Sequence, residues 1–203
     1  MSSMPRAAAP LGPERRGIRL RDGEAWWNDD AGVEGQVDNL TGLTNRLGWD
    51  DAITSGDAAR GERPVTTSVI MVGVDDLALA NDTRGHAFGD EVVRSVAGLV
   101  RDVIRAEDLV ARIGDDAFGV LLPGADETAC ANVVTRLRDK FARTRSLNDF
   151  PLSVAVGSAT AAAAETLTKA ERWADARMFV DKTDFTGPGS KASLSGLSHG
   201  SSF

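Results

Sequence analysis

Cysteine is almost absent from this chain of 203 residues: Cys130 stands alone. One thiol excludes an internal disulfide and a multi-cysteine zinc site. Histidine is nearly as scarce, and His86 and His199 make a histidine-rich metal centre a poor expectation. Long apolar runs are missing too. Val69-Ile70-Met71-Val72 falls far short of the about 20 residues that span a bilayer. Met1 to Pro13 has no apolar centre, so it does not read as a secretory leader, and a cytoplasmic protein with no membrane contact is expected. Positive charge is not in excess: the formal net charge is −7. Phosphate backbones demand a basic face, so a general nucleic-acid binder is not expected.

What remains is an ordinary globular balance, 42% hydrophobic and 26% charged. The length suits one domain of about 150 residues with tails, which buries roughly 68–70% of its unfolded surface without staples. No separate sensor or phosphodiesterase domain is expected in a chain of this size. Residues 1–37 read as a flexible N-terminal tail. Arg6, Arg15, Arg16, Arg19 and Arg21 stand there against Glu14 and Asp22, so the stretch is locally basic. Trp26-Trp27 follow in a polar setting, either docked on the domain or offered as an anchor for a protein partner. Residues 185–203 are rich in Gly and Ser and read as a flexible C-terminal tail.

Between the tails the patterning is regular. Leu43 to Ile53 has helical spacing, and Thr67 to Val74 is a β-branched, apolar strand. Asp90 to Arg105 places Val92, Val96, Leu99 and Val103 on one helical face, with acidic residues expected in its first turn and Arg101 and Arg105 in its last. Leu109–Ile113 and Phe118–Leu122 flank Gly114-Asp115-Asp116-Ala117, which predicts a hairpin. A helix over Asp126–Phe141, a strand over Pro151–Ala159 and a helix over Glu165–Lys182 complete the order. That order describes an α+β sandwich, helices packed on a mainly antiparallel sheet.

Four segments fit one known pattern. Asp38-Asn39-Leu40-Thr41-Gly42-Leu43-Thr44-Asn45-Arg46 resembles the D-x-L-T-G-L-x-N-R opening of GGDEF domains, the diguanylate cyclase family. Asn81-Asp82-Thr83-Arg84-Gly85-His86-Ala87-Phe88-Gly89-Asp90 resembles the family's N-D-x-x-G-H-x-x-G-D. Arg112-Ile113-Gly114-Asp115-Asp116-Ala117-Phe118 stands where the family has R-x-G-G-[DE]-E-F. Leu152–Ser158 and Ala174–Lys182 resemble its closing strand and helix. The resemblance covers residues 38–184 with spacings preserved. It implies a nucleotidyl-cyclase-like fold and descent from enzymes that condense two GTP into cyclic di-GMP as a homodimer.

The resemblance also implies where the chemistry fails. The family's metal-binding Asp at the end of the first strand aligns with Gly73. The third GGDEF residue is retained as Asp116, but the following Glu is Ala117 and the second glycine is Asp115. The phosphate-contacting Lys and Arg align with Ala78 and Thr186, leaving Lys182. All five departures remove metal or phosphate affinity. Asp75 keeps Gly73's parity but lies about 7 Å farther along the strand, too far to replace it. Losing one transition-state charge contact typically costs about 10²–10³ in rate. The expected protein is therefore no enzyme and needs no metal or cofactor. Asn81 and Asp90, which in the family read the guanine edge, survive as vestiges, with Asn81 as a turn former and Asp90 at a helix start as the plain structural alternatives.

A second constellation is intact. GGDEF domains often carry an R-x-x-D product site ending five residues before the GGDEF turn, and Arg105-Ala106-Glu107-Asp108 stands in that register. Arg136 aligns with a second Arg of the same site. The motif alone says little, because Arg19/Asp22, Arg112/Asp115, Arg136/Asp139 and Arg172/Asp175 match it too. Chemically the set is apt: Arg offers a planar donor fork and Asp accepts from the guanine N–H edge. The expectation is a catalytically inactive cyclic di-GMP receptor, its ligand able to link two protomers. The alternatives are a pseudoenzyme scaffold acting by protein contacts or GTP binding, and a weak cyclase.

Overall fold

The structure, a computed structural model, describes residues 17–19, 25–28, 35–60, 65–162 and 164–184, with side chains over 35–60, 65–162 and 164–183. Its organising element is strand β3, Thr67–Val74, whose eight residues are all buried. A strand buried on both faces reads as one continuous apolar run, which is why its sequence alternates so little. Val69 and Met71 point to one face, and Ile70, Val72 and Val74 point to the other.

Three more strands complete the sheet: β4 (Leu109–Arg112), β5 (Ala117–Pro123) and β8 (Val154–Ala161). Their order is β4-β5-β3-β8, and every neighbouring pair is antiparallel. On the Ile70 face lie α3 (His86–Arg101) and α4 (Glu127–Thr144), contributing Val92, Val96, Val100, Leu137 and Phe141. On the Met71 face lie α1 (Arg46–Arg60) and α5 (Leu167–Asp184), contributing Trp49, Ile53, Leu167, Ala170 and Ala174. The result is the expected α+β layering.

Two close approaches hold the Met71 face. The Trp49 ring is fully buried against Gly119, where a Cβ would come within 2.7 Å of it, and its indole N–H donates to Glu171 Oε1 at 2.8 Å. Gly157 lets α5 lie on β8, because a Cβ there would collide with the backbone at Ala174 and Met178. At the far end Arg60 is buried and donates to the carbonyls of Val65, Ala161, Ala162 and Glu165 at 2.7–2.9 Å. Burial lowers its pKa, while Asp57 and Glu165 work against that shift.

Several sequence expectations need correction. The helix expected over 90–105 starts at His86 and ends at Arg101, so Asp90 is not in its first turn and Arg105 is not on a helix. Past Arg101 the chain turns, and the Asp102 and Val103 N–H groups donate to Gly98 and Val100. Val103 and Ile104 still pack on the core, so their periodicity outlasts the helix. A further helix, α2 (Leu77–Arg84), carries Asn81, which is therefore no turn residue. Gly85, at φ +84°, joins α2 to α3. A small hairpin, β6 (Ser146–Leu147) with β7 (Phe150–Pro151), was also not anticipated. Within the stretch read as a tail, β1 (Gly17–Arg19) and β2 (Ala25–Asn28) form a two-stranded antiparallel sheet. The side chains of Trp26 and Trp27, and the expected tail over 185–203, lie outside the described residues.

Candidate functional site

The turn between β4 and β5 is closed by the Ile113 and Gly114 N–H groups, which both donate to Ala117 O at 2.9 and 3.3 Å. Arg112 fixes it from the side. Its guanidinium donates to Gly114 O at 3.2 Å and Asp115 O at 2.9 Å, and pairs with Asp38 Oδ2 at 3.3 Å. Asp38 Oδ1 meanwhile takes the Thr41 N–H at 2.9 Å and hydroxyl at 2.6 Å. Two motifs far apart in sequence thus become one scaffold, held by an ion pair only 17% and 19% exposed. Sequence reasoning had not given Arg112 and Asp38 this role.

Gly73 pairs with Ala117 on one side and Ala155 on the other, so the two departures from the family pattern sit directly opposite each other. Gly73 faces α5, where a Cβ would lie 3.2 Å from Met178 Sδ and 3.8 Å from Lys182 Nζ. Lys182 Nζ donates to Asp116 Oδ2 at 2.8 Å and to Val74 O at 3.2 Å. The two vestigial residues therefore meet each other. Asp75 is buried, and its carboxylate accepts the Ser153 hydroxyl at 2.6 Å. Burial raises its pKa, the Ser153 bond and Lys182 oppose the rise, and Asp76 and Asp181 add to it. Asp115 is exposed, Ala78 is exposed on α2, and Thr186 lies outside the described residues.

These residues do not fit a divalent cation. Gly73 and Ala117 have no side-chain donor to give, and an ammonium already engages Asp116 and the Val74 carbonyl. Among the described residues no group of three or more His, Cys, Asp or Glu side chains is placed to hold a metal.

Asn81 packs its side-chain amide against Gly89, where any Cβ would collide with it. That brings α2 onto α3 one residue before Asp90, which is exposed and 4.0 Å from Arg94.

The other constellation lies at the opposite end of α3. Arg105 to Asp108 form the loop into β4. Asp108 Oδ2 accepts the Arg105 backbone N–H at 2.9 Å, and the Asp108 N–H donates to Arg105 O at 3.2 Å. The motif's spacing is thus a local turn that presents both side chains from one point. The Arg105 side chain is 67% exposed, its guanidinium 3.9 Å from Glu107. Burial raises the Asp108 pKa to about 6, against the Arg105 N–H bond and the Arg105 and Arg136 charges; Glu107 adds to the rise. Arg136 sits exposed on α4, close enough for its charge to act on Asp108. One turn on, Lys140 binds Asp102 at 3.0 Å, so the same face of α4 is tied to the segment that leads to Arg105. The structure joins Arg105 and Asp108 in one loop, not on a helix, and Arg136 acts on Asp108 by charge from α4.

Residues 35–186 match the family described as "Diguanylate cyclase, GGDEF domain". The chain is similar to diguanylate cyclase DosC of Escherichia coli, 34% identical over 128 residues, covering 61% of this chain and 28% of that protein. It is also similar to probable diguanylate cyclase DgcT of Escherichia coli, 33% identical over 106 residues, covering 52% of this chain and 23% of that one. The chain spans about a quarter of the length of these curated relatives. Among solved structures it resembles the GGDEF domain of DgcB from Caulobacter crescentus in complex with c-di-GMP. That match has 25% identity and a TM-score of 0.69, covering 75% of this chain and 92% of that one. It also resembles diguanylate cyclase SiaD of Pseudomonas aeruginosa in complex with its activator SiaC, with 26% identity and a TM-score of 0.68, covering 77% and 61%. With three-quarters of its residues inside that match and the same four-stranded antiparallel sheet between helices, the chain belongs to the GGDEF, or diguanylate cyclase, family.

Proposed function

We propose that this GGDEF domain is catalytically silent and acts as a cyclic di-GMP receptor through Arg105, Asp108 and Arg136. The cluster of two outward guanidinium groups around one half-buried carboxylate carries this reading. Arginine forks suit phosphate oxygens and stack on purine faces. A carboxylate accepts from paired guanine N–H donors, which compensate it for lost water. A ligand held there as a stacked pair presents a second guanine outward, which can link two protomers. Silence follows from Gly73 and Ala117, which lack the carboxylates of the family pattern, and from Asp116 being engaged by Lys182. Asn81 and Asp90 remain as a vestigial guanine site without a phosphate cradle.

The test is a calorimetric titration of cyclic di-GMP into the full chain. Arg105→Ala is expected to weaken binding by about 1.5–3 kcal/mol, the scale of a hydrogen bond to a charged group, or roughly 10- to 150-fold. Asp108→Ala weakens it as well, Arg136→Ala less, and Asp116→Ala little. Binding that survives Arg105→Ala and Asp108→Ala but is lost in Asn81→Ala or Asp90→Ala refutes the assignment.

A second reading, a scaffold acting by protein contacts, draws support from α5. Trp173, Phe179 and Val180 are 56%, 66% and 55% exposed there, and Trp173 and Val180 are seven residues apart on one face. A titration without heat at any concentration favours that reading.

A further inference from the structure

We propose that the ammonium of Lys182 is the resident cation of the old catalytic turn, standing in the place that a divalent ion needs. Nζ lies 2.8 Å from Asp116 Oδ2 and 3.2 Å from the Val74 carbonyl, a carboxylate from the β4–β5 turn and a carbonyl oxygen from β3 brought to one point. These are hard oxygen donors of the kind that magnesium and manganese take. The Cβ direction of Gly73 aims at the same spot, 3.8 Å from Nζ. A third donor would therefore come from residue 73, and there the chain has only a hydrogen. Asp116 is the carboxylate in direct contact with Nζ, and a single positive charge matches it. A lysine supplies that charge covalently, so its occupancy depends on no ion concentration. Two cations at this separation repel each other by several kcal/mol at a protein surface, so a divalent ion has to expel the ammonium to enter.

The placement ties the turn to β3 and α5 without the missing ligands. The Val74 N–H donates to Asp116 O at 2.7 Å, so β3 and the turn are already joined by backbone. Lys182 adds α5 to that junction. Asp181, its neighbour on α5, accepts the Val156 N–H at 2.8 Å and pairs with Arg138 at 3.1 Å. Two successive residues of α5 thus engage β8, α4 and the turn. This inference is independent of whether cyclic di-GMP binds at Arg105, because it concerns a different end of the sheet and is read with a metal probe.

The experiment is a titration of Mn²⁺ into the full chain, following the free-ion electron paramagnetic resonance signal. The natural chain is expected to show no saturable site that Asp116→Asn removes. Gly73→Asp restores a donor beside Met178, whose flexible thioether end can yield to the new Cβ. With Lys182 present it should gain little affinity. Gly73→Asp with Lys182→Met should bind Mn²⁺ more than about tenfold tighter than Gly73→Asp alone, on the scale of removing a like charge from the site. A natural-chain site that Asp116→Asn abolishes overturns the proposal. So does a double variant that binds no better than the single one. A second measurement needs no substitution at Gly73. Acetylation of Lys182 by a mild acylating reagent, read by peptide mass spectrometry, should speed up several-fold in Asp116→Asn, while Lys169 is unchanged. An unchanged Lys182 rate also overturns it.

Discussion

On the proposed assignment, lowering the pH should release cyclic di-GMP without loss of the contribution that Asp108 makes to stability. The group responsible is Asp108, whose pKa burial raises to about 6. Ligand binding needs its ionised form, because only the carboxylate can accept both guanine donors. With a pKa of about 6, about 97% of the groups are ionised at pH 7.5 and about 9% at pH 5. Apparent affinity scales with the competent fraction, so Kd should rise about tenfold across that interval. The groups facing Asp108 are Arg105 and Glu107 from its own loop and Arg136 from α4. Stability runs the other way. A carboxyl whose folded pKa lies above its ordinary 3.8 binds its proton more tightly in the folded state. Its contribution to stability is full below about 3.8 and is lost as pH rises through about 6. Weakened binding at pH 5 therefore does not reflect a fold that Asp108 has destabilised. The assay is calorimetry at pH 7.5, 6 and 5 on the natural chain and on Asp108→Asn. A Kd that is flat with pH in the natural chain, or an equally steep profile in Asp108→Asn, refutes the reasoning.

Three further outcomes are expected. Arg60→Met leaves four carbonyls without the buried guanidinium and should lower stability by about 2–4 kcal/mol in a urea titration; a loss below about 1 kcal/mol would mean that water replaces it freely. Gly157→Ala drives a Cβ into the α5 backbone and should cost more than about 3 kcal/mol by the same assay, above the roughly 1–3 kcal/mol usual for overpacking in a deformable core. Incubation with GTP and Mg²⁺ or Mn²⁺ should give no cyclic di-GMP above a protein-free control; measurable product would contradict the silence assigned to Gly73 and Ala117.

The sequence was most legible where one physical cause dominated. Thr67–Val74 was read to its ends because burial on both faces leaves an unbroken β-branched run. α3 was recognised from its periodicity but misplaced, because Val103 and Ile104 continue the apolar pattern after the backbone has turned away. α2 is only eight residues long, and among them Ala80 alone is fully buried, too little pattern to betray a helix. The β6–β7 hairpin has Asn148 and Asp149 at positive φ, and Arg84, 64 residues before Asn148, donates to the Asn148 carbonyl and lies over the Phe150 ring. The Asp108 turn was visible as a motif, yet its burial was not. The Lys182–Asp116 contact joins residues 66 apart, and no local pattern foretells it. The resemblance placed both at one site without saying that they would neutralise each other.

How the cations are placed favours one end of the sheet as the anion site. At the old catalytic turn they are spent internally: Arg112 is held by Asp38 and two carbonyls, and Lys182 by Asp116 and a third. A phosphate arriving there meets an exposed Asp115 and a lysine already engaged. At the α3–β4 loop the guanidinium of Arg105 faces solvent, and its contact with Glu107 is long and exposed, the kind worth little in water. Arg136 is exposed on α4, the helix that Lys140 ties to Asp102. An acidic chain can hold an anion only where its positive charge is left outward and its backbone is fixed. Both conditions coincide at Arg105, Asp108 and Arg136. A charge reversal there, Arg136→Glu, should therefore abolish cyclic di-GMP binding more completely than Arg136→Ala does, whereas Lys182→Glu should leave it intact; equal losses in the two reversals would mean that the anion is drawn by the field of the whole domain and not by this site.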